Sequence, residues 1–353
     1  MQTWLIYALG GGWGHLTRAL ALSQIATPHH QIIILTNSPY ATYIQQQSPT
    51  NHPNSTQQTQ IIAIAPDTDT PTTCHQTRQL LSTITYNCLI IDTFPRGLGG
   101  ELADLLPQLT TIPRILIHRD LNPTYIRAKN LQAFVTQHFD AVLIPGDGEN
   151  LPLADLPIVQ QTPPWLIRSP NQLPTLEQAR SLLNLNSAHS SANSKTILVC
   201  ASGQASELQL FGTLTAQLAK NFPTATVRCL SAVYPNHFPP ELWVSHWPGI
   251  ECLQAADVVV GGAGYNTVHE CAALGVPLVT FAFKRLYDRQ DRRAQQHSHW
   301  VKDVEEAIAT VQTILNQSHP RPASPTYSNG AVLAVQQIEQ AIATKRSEMF
   351  RKA

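Results

Sequence analysis

Residues 256–270, with the sequence ADVVVGGAGYNTVHE, combine an apolar run, a cluster of glycines and a helical pattern. They predict a buried strand, a glycine loop, and a helix that begins at Thr267 and carries Glu270 one turn later. Such a loop brings backbone N–H groups and a helix N-terminus to one point, which suits a phosphate or diphosphate. Glu270 can then accept hydrogen bonds from a ribose, or it can close a capping box with Thr267. On this stretch alone the two interpretations are balanced.

The residues that follow favour the ligand interpretation. A second apolar run at residues 274–281 predicts another buried strand, and a polar loop follows at residues 284–294. This order of strand, loop, helix, strand and loop places two polar loops at the same carboxyl edge of a parallel sheet. Because open α/β sheets bind their ligands at that edge, the region is a candidate pocket for a nucleotide sugar.

The run resembles the carboxyl-terminal donor-binding region of GT-B glycosyltransferases. It is most similar to the peptidoglycan N-acetylglucosaminyltransferase family and to the wider group of UDP-glycosyltransferases. The resemblance implies an α/β fold of GT-B architecture, in which two Rossmann-like parallel-sheet domains face each other across a cleft. It also implies that the glycine loop meets the diphosphate, that Glu270 holds the ribose, and that Gln290, before Ala294, reaches hydroxyls of the transferred sugar. The donor-binding residues expected here are Gly262, Ala263, Gly264, Asn266, Thr267, Glu270, Arg289 and Gln290.

One position departs from the plant-type members of this group. They carry Asp-Gln at the last site, whereas this chain has Arg289–Gln290, with Asp288 one place earlier. The identity of the transferred sugar therefore stays open.

Apolar runs alternate with helical patterns along the chain, which indicates βαβ units and parallel sheets. The strands predicted in the first half are residues 4–9, 31–35, 61–64, 88–91, 114–117 and 141–144, with a helix at 16–25. Polar segments at residues 45–60 and 184–195 are expected to be loops. Prolines accumulate at residues 145–174, where we expect the interdomain linker, and a strand at 196–201 opens the second sheet. We expect an acceptor-side domain at 1–160, a donor-binding domain at 161–328, and a helix at 329–353 that packs back on the first domain.

A second glycine loop, LGGGWGHLTR at residues 9–18, follows the first predicted strand and opens a helix. Its spacing is imperfect for a dinucleotide fingerprint, and no acid precedes Asp67 to hold an adenosine ribose, which argues against NAD. The glycines still let the backbone turn sharply and approach another molecule. His15 is expected at the helix N-terminus, where the positive helix end favours the neutral imidazole that a general base needs. A solvated or capping histidine is the alternative.

The Gly-Gly-x-Gly-His sequence resembles the acceptor-side loop of inverting GT-B transferases, where a histidine at this place acts as the base or orients the diphosphate. The resemblance makes His15 the expected base and Asp92, at the end of a buried strand, the acid that orients it. Asp92 can instead be a loop cap. The residues expected on the acceptor or diphosphate side are Gly12, Gly14 and Arg18, of which the arginine can instead form an ion pair within its domain. The second-choice catalytic residues, after another strand, are His118 and Asp120.

The second half of the chain holds a further turn after its first strand. Ser202 and Gly203 can bind the diphosphate beside the glycine loop, or they can form a plain strand-to-helix turn with a serine cap. Residues 243–247 predict a strand that leads towards the base pocket. The Asp67-Thr68-Asp69 sequence follows a prolyl turn outside both glycine loops, so we expect no metal site and no cofactor. In GT-B enzymes, helix dipoles and backbone donors take the place of the metal ion.

Composition restricts the partners. The net charge is zero and only 13% of residues are charged, so no global field favours nucleic acid or an anionic membrane. The six cysteines show no CxxC spacing, which predicts reduced, buried thiols rather than a metal site. The amino terminus lacks an export pattern, and no apolar run approaches the ~18 residues of a spanning helix. We expect a cytoplasmic protein, with peripheral membrane contact left open.

These features together predict an inverting, metal-independent glycosyltransferase of the hexosyltransferase class. Its partners would be a nucleotide sugar, with a UDP-sugar as the first candidate, and an unidentified hydroxyl acceptor. The alternatives are a nucleotide-sugar hydrolase or 2-epimerase on the same fold, and a nucleotide-sugar-binding protein without catalysis.

Overall fold

The computed structural model describes residues 1–47, 59–146, 151–185, 194–235, 238–317 and 325–352. The chain forms two compact units. Unit 1 comprises Met1–Ile167, Leu286–Asp288 and Asn329–Ala353, and unit 2 comprises Arg168–Arg285 and Arg289–Ser328. Among the helices within the described ranges, none combines the length with the apolar character that a bilayer crossing requires.

Unit 1 is built on a parallel sheet. Its strands are β1 Thr3–Tyr7, β2 Gln31–Thr36, β3 Thr59–Ala63, β4 Cys88–Asp92, β5 Arg114–Ile117, β6 Ala141–Pro145 and β7 Val159–Thr162. They pair in the order β3-β2-β1-β4-β5-β6-β7. Because helices cover a parallel sheet on both faces, its inner strands are continuous apolar runs, and β4 and β6 are buried at every position. The strand order reverses between β1 and β4, which makes their carboxyl ends the expected ligand site of this sheet.

Helices connect these strands. Within the described ranges they are α1 Gly12–Ala26, α2 Ala41–Gln47, α3 Thr70–Thr83, α4 Pro123–Ala128 and α5 Leu131–His138. Asp69, the second acid of the Asp67-Thr68-Asp69 sequence, precedes α3. Its carboxylate oxygen accepts a hydrogen bond from the Thr72 N–H at 2.9 Å. Asp69 is therefore a helix cap, a common role for aspartate at this position.

Unit 2 repeats this topology with six strands. They are β8 Thr196–Cys200, β9 Thr226–Leu230, β10 Trp243–Val244, β11 Val258–Gly262, β12 Leu278–Phe281 and β13 His299–Val301. The parallel order is β10-β9-β8-β11-β12-β13, so the reversal falls between β8 and β11. Gly261 pairs with Cys200 there, which puts the loop after β8 beside the glycine loop after β11.

The helices of unit 2 in the described ranges are α6 Leu176–Leu182, α7 Ala205–Asn221, α8 Ile250–Leu253, α9 Tyr265–Leu274, α10 Gln290–His297 and α11 Val304–Leu315. Gly275 ends α9 with φ of +63°, a left-handed conformation that glycine adopts without strain. The chain can therefore turn at once into β12, whose buried residues extend the core of this unit.

The last helix, α12 Gly330–Lys352, belongs to unit 1, where it contacts α1, β6 and β7. In addition to its apolar face, two polar contacts hold α12 on unit 1. The Glu339 carboxylate lies 2.9 Å from His30 Nε2, and Lys345 Nζ donates to Asp140 at 2.8 Å.

Several boundaries differ from those predicted. The predicted linker at residues 145–174 contains β7, and the first unit extends to Ile167 rather than to residue 160. The strand predicted at residues 243–247 is limited to Trp243–Val244. The predicted loop at residues 45–60 overlaps regular structure at both ends, because α2 extends to Gln47 and β3 begins at Thr59. In the predicted loop at residues 184–195, the described residues 184, 185, 194 and 195 form no helix or strand. The rest of both loops lies outside the described residues.

Candidate active site

The glycine loop after β1 has a backbone that few other residues could adopt. Gly10, Gly11 and Gly12 have φ values of +145°, +67° and +71°. The Asn37 side chain holds the loop, because its oxygen accepts hydrogen bonds from the N–H groups of Gly10 and Gly11 at 2.9 and 3.1 Å. No side chain caps α1. The N-terminus of this helix can therefore offer its N–H groups to a ligand.

His15 and Asp92 lie in contact at the carboxyl ends of β1 and β4. His15 Nδ1 is 2.8 Å from the Asp92 carboxylate, and the imidazole is 16% exposed. The other ring nitrogen, Nε2, has no hydrogen-bond partner among the described residues. It lies so close to Gly10 that a Cβ there would come within 2.4 Å of it, so Gly10 must lack a side chain. The pair predicted from the sequence is thus assembled, with one imidazole nitrogen bound and the other available.

Asp92 is fully buried and is held by two cationic or polar neighbours besides His15. Arg18 Nη2 donates to it at 2.7 Å, and Thr93 Oγ1 donates at 3.1 Å. Burial alone would raise the pKa of Asp92, but the Arg18 charge, the His15 contact and their hydrogen bonds outweigh burial and hold that pKa below its ordinary value. Asp92 is therefore a carboxylate at neutral pH.

Arg18 lies buried within its own unit. Its side chain is 3% exposed and its guanidinium is committed to Asp92 and Thr93. The ion pair within the domain, which was the alternative to a diphosphate contact, is the arrangement observed. Gly12 and Gly14 remain beside His15 in the first turn of α1, where both are accessible.

A strained turn follows Asp92. Thr93 has φ of +71°, and the Phe94 N–H donates to the Asp92 carbonyl at 2.9 Å, which defines a γ-turn. A β-branched residue rarely adopts this conformation, and such strain occurs mainly at functional sites. The turn carries Phe94 to His15, where the two rings stack with centroids 5.6 Å apart and planes 26° apart. The imidazole is therefore held at one nitrogen by Asp92 and at one face by Phe94.

The second-choice pair, His118 and Asp120, is poorly placed for proton transfer. His118 is fully buried, its Nε2 is 2.5 Å from the Pro152 carbonyl oxygen, and burial lowers its pKa to about 4. Asp120 is also buried, at 5% exposure. A base must reach the proton that it removes, so His15 is the better candidate.

In unit 2, α9 begins at Tyr265 with Gly264 as its N-cap, two residues earlier than the predicted start at Thr267. Thr267 therefore lies inside the first turn, and the capping box between Thr267 and Glu270 does not form. No side chain caps α9, and its first turn contains no acid. A Cβ on Gly264 would meet no atom within 4 Å, so the space beside the loop is open to a ligand.

Glu270 is a buried acid, 8% exposed, and the described residues supply no hydrogen bond, ion pair or counter-charge to its side chain. Burial raises the pKa of Glu270 to about 7. An unpaired buried acid is costly to a fold, and such groups are frequent at binding and catalytic sites. This environment favours a hydrogen-bond acceptor that awaits donors over a helix cap.

The loop between β12 and α10 places Gln290 and Arg293 near the glycine loop. Gln290 begins α10, and its side-chain oxygen accepts from the Phe283 N–H at 3.0 Å. Arg293, one turn later and 2% exposed, donates to the Ala263 carbonyl at 2.9 Å. Arg289 precedes Gln290 as the N-cap of α10. The guanidinium of Arg293 thus supports the glycine loop from within, while the amide nitrogen of Gln290 is left for another partner.

The loop after β8 is less suited to a diphosphate than the loop after β11. Below Ser202 and Gly203, the buried Glu207 carboxylate accepts from the Gln204 N–H at 3.2 Å and so occupies the N-terminus of α7. A Cβ on Gly203 would come within 1.9 Å of that carboxylate. Arg285 balances the charge of Glu207 with two hydrogen bonds of 2.5 and 2.6 Å. An acid already occupies this helix end, whereas no described side chain caps α9, so α9 is the better candidate site for an anion.

Two of these contacts have no local signal in the sequence. Asn37 and Arg293 follow ordinary strand or helix patterns, and only the fold brings them to a glycine loop. Glu207, in contrast, lies three residues after Gln204, which is the local spacing of a capping box. All six cysteines are free, and five of them are buried. Within the described residues, no group of three or more His, Cys, Asp or Glu side chains could hold a metal ion.

No protein-family model matches this chain, and neither does any curated protein sequence. Solved structures do match it. The structure of the glycotransferase of kitacinnamycin is 14% identical with a TM-score of 0.60, covering 97% of this chain and 99% of its own. That of TcCGT1 in complex with UDP is 12% identical with a TM-score of 0.60, covering 97% and 94%. That of UDP-N-acetylglucosamine 2-epimerase from Rickettsia bellii is 10% identical with a TM-score of 0.57, covering 99% and 96%. The chain thus has the GT-B fold, as predicted, with two parallel-sheet α/β domains.

Proposed function

We propose that this protein is an inverting, metal-independent glycosyltransferase that moves a sugar from a nucleotide sugar to the hydroxyl of an acceptor. The observation that carries the proposal is the contact between His15 Nδ1 and the buried Asp92 carboxylate, with Nε2 left available. A base oriented by a buried acid is the arrangement that activates a hydroxyl nucleophile. A protein that only bound a nucleotide sugar would have no need of it.

His15 acts as the base in the proposed reaction. When its Nδ1–H donates to Asp92, Nε2 carries the lone pair and accepts the proton of the acceptor hydroxyl. The hydroxyl oxygen forms a bond to the anomeric carbon while the bond from that carbon to the diphosphate breaks. The bonding electrons leave with the nucleoside diphosphate, and a single displacement inverts the anomeric configuration. The Asp92 carboxylate stabilises the imidazolium that forms.

Unit 2 binds the donor in this proposal. The uncapped N-terminus of α9 and the open side of Gly264 receive the diphosphate, whose charge grows as it leaves. Glu270 accepts hydrogen bonds from the ribose, which supply the partners that its carboxylate lacks. Gln290 contacts the transferred sugar, with Asn266, Thr267 and Arg289 at the edge of the site. UDP is the first nucleotide to test, since TcCGT1, on the same fold, was solved with UDP.

The substitution His15→Ala tests the central step. Turnover should fall by roughly 10²- to 10⁴-fold, the usual contribution of a general base, while UDP affinity stays at the wild-type level. His75→Ala, on the exposed face of α3, is the matched control and should leave both values unchanged. Loss of UDP binding with normal single-turnover chemistry would instead make His15 a diphosphate ligand.

Asp92 is a poorer target than His15 for such a test. Its removal would break the buried ion pair between Asp92 and Arg18, and the loss of one partner of such a pair commonly costs about 3–5 kcal/mol of stability. A fall in activity of Asp92→Asn would therefore combine a catalytic loss with a folding loss.

One of the solved structures with the same fold is a 2-epimerase, so a nucleotide-sugar 2-epimerase is a specific alternative to the proposed transferase. An epimerase or hydrolase converts the nucleotide sugar without an acceptor, whereas a transferase releases UDP only when an acceptor is added. A binding protein would show UDP affinity and no turnover. Product analysis with and without acceptor separates these functions from the proposed one.

A further inference from the structure

A short segment between β12 and α10 belongs to unit 1, although its neighbours on both sides belong to unit 2. The segment is Leu286–Asp288, and it is flanked by Arg285 and Arg289. Its backbone is fixed at two places, because the Tyr287 carbonyl accepts from the Asn122 N–H at 3.0 Å and Asp288 forms an antiparallel bridge with Leu121. The segment is thus a defined part of unit 1.

The side chain of Tyr287 continues a series of ring contacts that ends at His15. Tyr287 meets Phe94 edge to face, with centroids 5.2 Å apart and planes 76° apart. On its other side it contacts Tyr125 at 4.8 Å. Phe94 in turn stacks on the imidazole of His15. Edge-to-face aromatic pairs of this kind are favourable beyond the area that they bury.

We propose that Tyr287 is a positioning residue for His15 and acts through Phe94. The hydrogen bond to Asp92 fixes one nitrogen of the imidazole. The ring could still rotate about that nitrogen, and the stacked ring of Phe94 restrains this rotation. Phe94 itself stands on the strained γ-turn at Thr93, so its ring needs support from outside the turn. The edge of Tyr287 supplies that support. This inference rests on the proposed role of His15.

One consequence follows from the position of Tyr287 in the chain. It lies three residues before Gln290, which is assigned to the donor, and two residues after Arg285, which is bound to Glu207. Arg285 and Gln290 thus have their contacts within unit 2, whereas Tyr287 packs within unit 1. Removal of the Tyr287 ring should therefore alter turnover without altering the affinity for UDP.

The test uses three variants of the whole chain. Tyr287→Leu keeps apolar volume but removes the ring, Tyr287→Phe keeps the ring, and Leu286→Ala changes the same segment at a side chain that is 73% exposed. The first readout needs no substrate. In protein labelled with ¹⁵N-histidine, the Nδ1 proton shared by His15 and Asp92 should give a downfield NMR signal, assigned by its absence from His15→Gln.

We expect this signal to shift or broaden in Tyr287→Leu and to stay unchanged in Tyr287→Phe and Leu286→Ala. Turnover of Tyr287→Leu should fall by roughly 10- to 100-fold, the cost of a misplaced catalytic group, with UDP affinity unchanged. The turnover of Tyr287→Phe should equal that of the wild type. An unchanged signal in Tyr287→Leu would overturn the positioning role. A changed signal in a protein that transfers no sugar would retain the positioning role and refute the proposed function instead.

Discussion

Glu270 offers a test of the donor site by counting protons. Burial raises the pKa of Glu270 to about 7, so part of the free protein carries a proton there near neutral pH. Ribose hydroxyls donate hydrogen bonds, which favour the carboxylate over the acid. UDP binding should therefore release a fraction of a proton per site from Glu270 near neutral pH, and progressively less as the pH rises.

Isothermal titration calorimetry in two buffers of different ionisation enthalpy measures this release. The diphosphate of UDP titrates near neutral pH as well, so Glu270→Gln is the necessary control. The difference in released protons between wild type and Glu270→Gln isolates the contribution of the residue. Equal proton release from the two proteins, at comparable UDP affinity, would refute the assignment of Glu270 to the ribose.

The same raised pKa affects stability, with a defined sign. Between pH 4.5, the ordinary pKa of a glutamate, and pH 7 the folded chain binds more protons at Glu270 than the unfolded chain does. The free energy of unfolding should therefore fall as the pH rises through this window. Glu270→Gln should remove this fall and exceed wild-type stability at pH 8 by at most about 3 kcal/mol, measured by urea unfolding. If Glu270→Gln is less stable than wild type at pH 8, the conclusion that the Glu270 carboxylate lacks a partner is wrong.

Four further substitutions have expected results. Gly264→Ala should lower the free energy of unfolding by at most about 1 kcal/mol, because alanine is a poorer N-cap than glycine although its Cβ would meet nothing within 4 Å. It should weaken UDP binding by about tenfold or more, equal to ~1.4 kcal/mol in a direct titration. Gly14→Ala should raise the free energy of unfolding by about 0.5–1 kcal/mol, because alanine has a higher helix propensity than glycine and its Cβ would lie at an ordinary contact distance of 3.6 Å from Arg18. A loss of turnover in this stable variant would indicate that the acceptor binds beside Gly14. Arg293→Met should lower that free energy by about 1–3 kcal/mol and weaken UDP binding, because the Ala263 carbonyl loses its donor. Asp69→Ala, which removes only the cap of α3, should lower stability without affecting UDP affinity.

Much of the fold could be predicted from the sequence because both sheets are parallel. Strands buried on two faces are continuous apolar runs, and β4 and β6 were placed within a residue of their ends. β7 was missed because its sequence VQQT is polar and only partly buried. The early start of α9 was missed because its N-cap is Gly264, whereas Thr267 and Glu270 form the pattern of a capping box.

The candidate site divides in the same way. His15 and Asp92 could be paired because His15 lies in the first turn of the helix after β1 and Asp92 ends the neighbouring strand β4, so topology brings them to the same edge of the sheet. The contact of Arg293 with Ala263 and that of Glu207 with Arg285 could not be predicted, because both depend on the packing of segments that are distant in the sequence. Tyr287 is the extreme case, since its neighbours in sequence belong to the other unit. The roles of all these residues in binding and catalysis remain predictions.

The most direct test of the central claim is the fate of the sugar. The protein is incubated with UDP-glucose or UDP-N-acetylglucosamine, with and without a panel of phenol, alcohol and sugar acceptors, and the products are identified by NMR. The account predicts UDP release that depends on an acceptor, a product with inverted anomeric configuration, and loss of both in His15→Ala. Conversion of the nucleotide sugar to free sugar or to its 2-epimer without an acceptor, at full rate in His15→Ala, would contradict it.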